Sequence, residues 1–305
     1  MDALNLRQKF TVLVLALCVA VSVLAVGRDE APKNVILIGW DGAQRNHVNE
    51  CLSRGELPNL QRLASEGSMV DIAVNEVTDT KAGWAQILTG YSAKTTGVYH
   101  SANYRPIPKG YTIFERLKKF FGWDEIVTLA IIAKKADLGY FAPYGRAPGD
   151  PYCYSIDGTN VFVNDLRTNE NVGARVIKEL DKYRGKRFFL FAHFPKADTN
   201  GHNFGEDTNE YTDALMSDDM WLGKIIQKLK DVKIYEKTLI YVTADHGFDE
   251  GKRTHHDAPY VFLVTNDPIP LVPGTRSDIT PTILKRYGVD LSKIKPLLDG
   301  KPLMK

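Results

Sequence analysis

Asn34-Val-Ile-Leu-Ile-Gly39 is a short, continuous apolar run that leads directly into Trp40-Asp41-Gly42. A segment apolar at every position, rather than at alternate ones, reads as a central parallel strand buried on both faces. Two later runs repeat the arrangement. Phe188 to Phe194 precedes Asp198-Thr-Asn-Gly-His202, and Thr238 to Val242 precedes Thr243-Ala-Asp245-His246-Gly247. Each sets polar groups just past the end of a strand, which is where ligands bind in open α/β sheets. Asp41 alone reads equally well as the cap of the next helix. Two carboxylate–imidazole pairs converging on the same edge suggest a two-metal site.

Working outward, helical spacing runs from about Gln44 to Arg54, and Leu57-Pro-Asn-Leu-Gln-Arg-Leu-Ala64 places Pro58 near a helix start. Ser68 to Val74 reads as a second strand. Ile113 to Phe121 and Glu125 to Ala133 form a helix-then-strand passage. Asn169 to Tyr183 and Asn209 to Leu229 read as helices, Pro259 to Thr265 as a strand and Ser277 to Arg286 as a helix. This alternation predicts an α/β fold: one doubly wound, mostly parallel sheet with helices on both faces.

Thr80 begins a short helical stretch that ends at Gly90. A hydroxyl there sits among free backbone N–H groups, where an anion is also welcome. Taken alone, Thr80 reads as a helix N-cap. Residues 91–155 are rich in Gly, Pro and Tyr, and the Gly139–Tyr154 stretch reads as a long surface loop, the kind that forms lids and specificity walls. Tyr140, Tyr144, Arg146 and Tyr152 are candidates for holding a substrate's remote half, or packed loop aromatics.

Composition is that of an ordinary globular chain, 44% hydrophobic and 25% charged, and a net charge of +2 gives no case for a nucleic-acid partner. Arg7 and Lys9 precede an apolar run from Phe10 to Val26, with small residues near Gly27. Residues 1–28 therefore read as an export signal or an uncleaved membrane anchor through residues 10–26. The catalytic domain is expected over 29–305, exported to the periplasm, the extracellular space or the outer face of a membrane. Beyond that leader, Cys51 and Cys153 either pair or stay as buried thiols.

Together these segments resemble the alkaline phosphatase superfamily, which includes nucleotide pyrophosphatases/phosphodiesterases, arylsulfatases and cofactor-independent phosphoglycerate mutases. Val35 to Gly42 looks like its first strand and metal aspartate. Leu57 to Gly67 looks like its second motif, and Thr80 lies ten residues before the Gly of Leu88-Thr-Gly90, as its nucleophile does. Asp198-x-x-x-His202-x-x-Gly205 and Ala244-Asp245-His246-Gly247 look like its later metal motifs. Asp278 to Leu284 with Gly288 resembles its C-terminal helix.

The resemblance implies two divalent ions, Zn²⁺ first, with Mn²⁺ or Fe as alternatives for carboxylate and imidazole ligands. One would be held by Asp198, His202 and His255, or His256 in place of His255. The other would be held by Asp41, Asp245 and His246 with the Thr80 oxygen at or near it. It also implies a phospho-Thr80 intermediate in the hydrolysis of a small phosphate ester, monoester or diester. A sulfatase-like hydrolase and a non-catalytic metal-binding relative are the alternatives. Thr80 disfavours sulfate esters, because arylsulfatases carry Cys there. Gly83 departs from the Asn common in the phosphodiesterase branch and puts diester preference in doubt.

Overall fold

A computed structural model describes residues 31–102, 105–135 and 156–304 of the chain. The strands are β1 (Asn34–Trp40), β2 (Ser68–Ala73), β3 (Val127–Ile132), β4 (Val161–Val163), β5 (Phe188–Phe194), β6 (Thr238–Thr243), β7 (Tyr260–Thr265) and β8 (Gly274–Thr275). The helices are α1 (Arg45–Ser53), α2 (Pro58–Glu66), α3 (Thr80–Thr89), the single turn α4 (Ala93–Thr96), α5 (Ile113–Phe121), α6 (Asn169–Tyr183), α7 (Lys196–Phe204), α8 (Asn209–Asp231) and α9 (Ile279–Arg286).

The eight strands form one sheet in the order β4-β3-β5-β1-β6-β7-β2-β8. β7 pairs antiparallel with both β6 and β2, and the remaining pairings are parallel. The three runs that carry the aspartates are the three central strands, and every residue of each is buried. Their registers align at one edge: Gly39 of β1 stands opposite His193 of β5 and Thr243 of β6. Asp41, Asp198 and Asp245 therefore leave the sheet side by side.

Helices α1, α2, α6, α7 and α8 pack among themselves, and α3, α5 and α9 form a second set, so both faces are covered. Trp84 of α3 lies over Phe191 and His193, and Phe114 of α5 over Phe189. The Leu57-Pro-Asn-Leu motif has a structural explanation. Asp219 of α8 accepts from the backbone N–H of Asn59 at 3.2 Å and of Leu60 at 2.7 Å, capping α2 from another helix.

Some expectations shift. Asp198 and His202 lie on the helix α7, β7 runs antiparallel to both of its neighbours, and β4 and β8 are short strands that composition did not announce. Cys51 is buried and free. Cys153, the Gly139–Tyr154 loop with its aromatic candidates, and the leader lie outside the described residues. Among the described residues no helix is long and apolar enough to cross a membrane.

Candidate metal centre

Backbone geometry fixes the three aspartates before their side chains act. The Asp41 N–H donates to the carbonyl of Phe194 at 3.0 Å, and the Asp198 N–H to the carbonyl of Asp41 at 2.8 Å. The Gly42 N–H donates to Asp245 Oδ1 at 3.2 Å. Gly42 adopts φ +71°, and a Cβ there would lie 2.9 Å from Asp198 and the Phe248 ring, so glycine is required.

Two clusters of ligand-type atoms result, one of Asp41, Asp198 and His246 and one of Asp198, His202 and His255, each with its atoms within 4.8 Å of one another. Asp245 joins the first, its Oδ2 lying 3.6 Å from His246 Nε2. α7 places Asp198 and His202 four residues apart on one face, with His202 Nε2 3.3 Å from Asp198 Oδ1. His255 stacks on His246 with ring centroids 4.2 Å apart and lies 5.1 Å from His202. His256 lies farther out and is 6.3 Å from His255 ring to ring. Asp249 holds this loop, accepting from Thr254 Oγ1 at 2.7 Å, the His256 N–H at 3.1 Å and the Asp257 N–H at 2.6 Å.

Thr80 is the first residue of α3, and the cap is Asp79, whose side chain accepts from the Lys81 N–H at 3.2 Å. The Thr80 hydroxyl is thus released from capping and lies 3.2 Å from His246 Nε2. Gly83, one turn on, has no room for a side chain. A Cβ there would sit 2.6 Å from the carbonyl oxygen of Asp245 and 3.1 Å from Arg276 Nη1. Arg276 is itself buried and donates to the carbonyls of Asp245 at 2.6 Å and Val77 at 2.9 Å, tying the Asp245 strand end to the segment before Thr80.

Two neighbours were not foreseen. Lys134, just past β3, donates to Asp41 Oδ2 and Asp198 Oδ2 at 2.5 Å each. His193 Nε2 lies 3.1 Å from Asp41 Oδ2. Lys134 follows the same strand-end rule as the aspartates. His193 hides inside an apolar run, where only the pairing of β5 with β1 exposes its role.

Electrostatics separate the groups. Burial would raise the Asp41 carboxyl, but Lys134, the hydrogen bond from His193 and the charges of His193 and His246 outweigh it and hold it below the usual carboxylate range. Asp245 goes the other way, raised well above that range by burial and then by Asp41. For Asp198, burial and Asp41 push upward, and the His202 hydrogen bond and Lys134 carry it downward. Burial pushes His246 down to about 4, so its ring is neutral near pH 7 and available as a ligand.

The donor set fits divalent cations on a structural ground. Asp41 Oδ1, Asp245 Oδ2 and His255 Nδ1 are buried polar atoms with no hydrogen-bond partner, and Asp198 Oδ1 faces His202 Nε2 at 3.3 Å. Unsatisfied buried polar atoms are costly, and such a group gathered beside one hydroxyl is what cations would satisfy.

The family profile of type I phosphodiesterase / nucleotide pyrophosphatase matches residues 35–267. The chain belongs to that family. Among relatives of this phosphodiesterase-family chain is human bis(5'-adenosyl)-triphosphatase ENPP4, 23% identical over 223 residues, 72% of this chain and 48% of that protein. Another is the 2,3-bisphosphoglycerate-independent phosphoglycerate mutase of Wolbachia pipientis wMel, 31% identical over 144 residues, 44% of this chain and 28% of the mutase. The chain spans about half the length of the ENPP4 relatives it matches. Among solved structures, the lipoteichoic acid synthase LtaP from Listeria monocytogenes aligns with TM-score 0.63 at 17% identity, covering 90% of this chain and 76% of LtaP. Alkaline phosphatase from the Antarctic bacterium TAB5 aligns with TM-score 0.59 at 16% identity, covering 86% of this chain and 99% of that one. Both place the phosphodiesterase-family chain in the alkaline phosphatase-like fold.

Proposed function

We propose that this protein is a metal-dependent hydrolase of phosphate esters, acting through Thr80. The observation that carries the reading is the set of orphaned carboxylate and imidazole atoms gathered beside the Thr80 hydroxyl. Asp198, His202 and His255 would hold one cation, and Asp41, Asp245 and His246 the other. His255 is favoured over His256 because its ring stacks on His246 and lies beside His202. Mixed carboxylate and imidazole donors suit Zn²⁺, with Mn²⁺ or Fe as alternatives. Bound cations would stabilise the threonine alkoxide and the charge on the phosphoryl oxygens.

The chain's own residues do the rest. Thr80 Oγ gives up its proton and forms a bond to phosphorus while the bond to the leaving oxygen breaks and that oxygen takes up a proton, leaving phosphorylated Thr80 and an alcohol, or a phosphate when the substrate is an anhydride. Water then cleaves the phosphothreonine to phosphate, or to a phosphate monoester when the substrate is a diester. The positive end of the α3 helix dipole, at Thr80, would favour the charge on the phosphoryl oxygens. Family membership and the name of the triphosphatase relative favour a diester or a phosphoanhydride. Glycine at position 83 is dictated by packing against the Asp245 backbone, where any Cβ would clash.

Residues 10–26 fit an export signal or anchor, which would put this chemistry outside the cytoplasm. The test is to load the chain with zinc or manganese and compare nitrophenyl phosphate, bis-nitrophenyl phosphate and nitrophenyl sulfate. Bis-nitrophenyl phosphate is expected to be cleaved fastest. Preferential cleavage of the sulfate would replace this reading by a sulfatase-like one, and metal binding without turnover of any ester by a non-catalytic one.

A further inference from the structure

Away from the candidate centre, the molecule has a second feature of distinct chemistry. A cavity of about 320 Å³ lies between α5 and the segment 289–295. Arg116, Lys119, Lys293 and Lys295 line it against a single acid, Asp290, which is already 3.3 Å from Lys293 Nζ. The apolar lining comes from Phe120, Val289 and Ile294. The two segments that line it also carry large apolar side chains in solvent: Phe120 is 46% exposed, Trp123 55% and Leu297 61%. Single exposed apolar residues are ordinary. Three of them in two segments that also expose Lys119, Lys293 and Lys295 form a basic and apolar patch, with Asp124 and Glu125 exposed at its Trp123 end.

The patch sits at the N-terminal edge of the sheet. α5 ends there, immediately before β3, and the end of α9 is fixed there by Tyr287, whose hydroxyl donates to the carbonyl of Phe188 at the start of β5. Phe120 packs on Phe121, and the Arg187 guanidinium lies 4.4 Å over the Phe121 ring. β1 starts at this same edge, with Asn34 opposite Phe188 and Thr238. Residues 27–33 are all that separate β1 from the apolar run 10–26, and seven residues span at most about 25 Å. The candidate metal centre opens at the other end of the strands.

We propose that this edge is a docking surface for an anionic lipid bilayer. Lys119, Lys293 and Lys295 would meet the phosphate headgroups, and Phe120, Trp123 and Leu297 would enter the interfacial layer, as aromatic and aliphatic side chains do at membrane surfaces. The candidate metal centre, at the other end of the strands, would then face away from the membrane. The proposal rests on the patch and its position and is independent of the catalytic reading.

The full chain is purified in mild detergent and reconstituted with vesicles of phosphatidylcholine alone or phosphatidylcholine mixed with phosphatidylglycerol. Amide exchange is then followed over segments 113–123 and 289–297. Protection of both segments on the anionic vesicles, absent on the neutral ones and lost at high salt, is the expected result. The double variant Lys119→Glu, Lys295→Glu is expected to lose that protection, each lysine being worth roughly fivefold in affinity near an anionic surface, with exchange in β1, β5 and β6 unchanged as the control for folding. Equal protection on neutral vesicles, or none on either, overturns the proposal. So does protection that appears without vesicles as protein concentration rises, which would make the patch a contact between copies of the chain.

Discussion

The two halves of the candidate centre are built differently. Asp41, Asp245 and His246 sit at the ends of β1 and β6 with no exposed surface, and their positions follow from strand register and backbone hydrogen bonds. Asp198 and His202 ride on a short helix, and His255 on a loop braced by Asp249, with 46% of the His202 side chain in solvent. The inner half is part of the sheet's core, and the outer half is an attachment to it. Damage to the inner half should therefore cost both folding and chemistry, and damage to the outer half chemistry alone.

The largest expected effect lies between the halves. Thr80→Ala should lower kcat for an activated phosphate ester by on the order of 10³-fold or more, the scale seen when a nucleophile is removed. Metal content, measured by elemental analysis, should stay the same, because the carboxylates and imidazoles remain. Next, Asp245→Ala removes a buried acceptor from the Gly42 N–H as well as a ligand. It should lower turnover less than Thr80→Ala does, and lower the stability read by denaturant titration by about 1–3 kcal/mol. His202→Ala should weaken cation affinity and rate with the midpoint nearly unchanged. Equal loss of stability in the two variants would erase the distinction between the halves. Gly83→Ala tests the inner half from the other side. A Cβ 2.6 Å from the Asp245 carbonyl oxygen forces the strand end to move, at about 1–3 kcal/mol by denaturant titration, with a fall in kcat.

The same division decides what could be read from the sequence. The inner half was legible because continuous apolar runs such as Asn34–Gly39 signal buried strands, and a polar residue after such a run has one place to go. The Asn169–Tyr183 helix was legible for the complementary reason, a regular apolar stripe. Lys134 was missed because Ala133-Lys-Lys135 looks like any solvated strand end, and only the pairing of β3 with β5 turns it towards Asp41. His193 was missed because an imidazole within Phe188–Phe194 is invisible to a hydropathy pattern. β4 and β8 have too few residues to show a period. The reversal of β7 belongs to the connection between Asp245 and Tyr260, and side-chain pattern does not encode strand direction.

The pH dependence gives the sharpest test, because His246 and His202 shift in opposite senses. His246 is pushed down from 6.5 to about 4 by burial. In the metal-free chain its contribution to stability is present above pH 6.5 and is lost as pH falls towards 4, by at most about 3 kcal/mol. His202 is raised above 6.5, first by its hydrogen bond with Asp198. Its contribution is present below pH 6.5 and is lost as pH rises through the raised value. Proton NMR of the imidazole C–H signals, assigned with His246→Gln and His202→Gln, should show one ring titrating on each side of 6.5. Adding zinc should stop both titrations, since a ring nitrogen bound to a cation cannot take up a proton. If His202 continued to titrate in the loaded protein while His246 fell silent, the outer cation would lose a ligand, and the centre would have to work with the buried half alone.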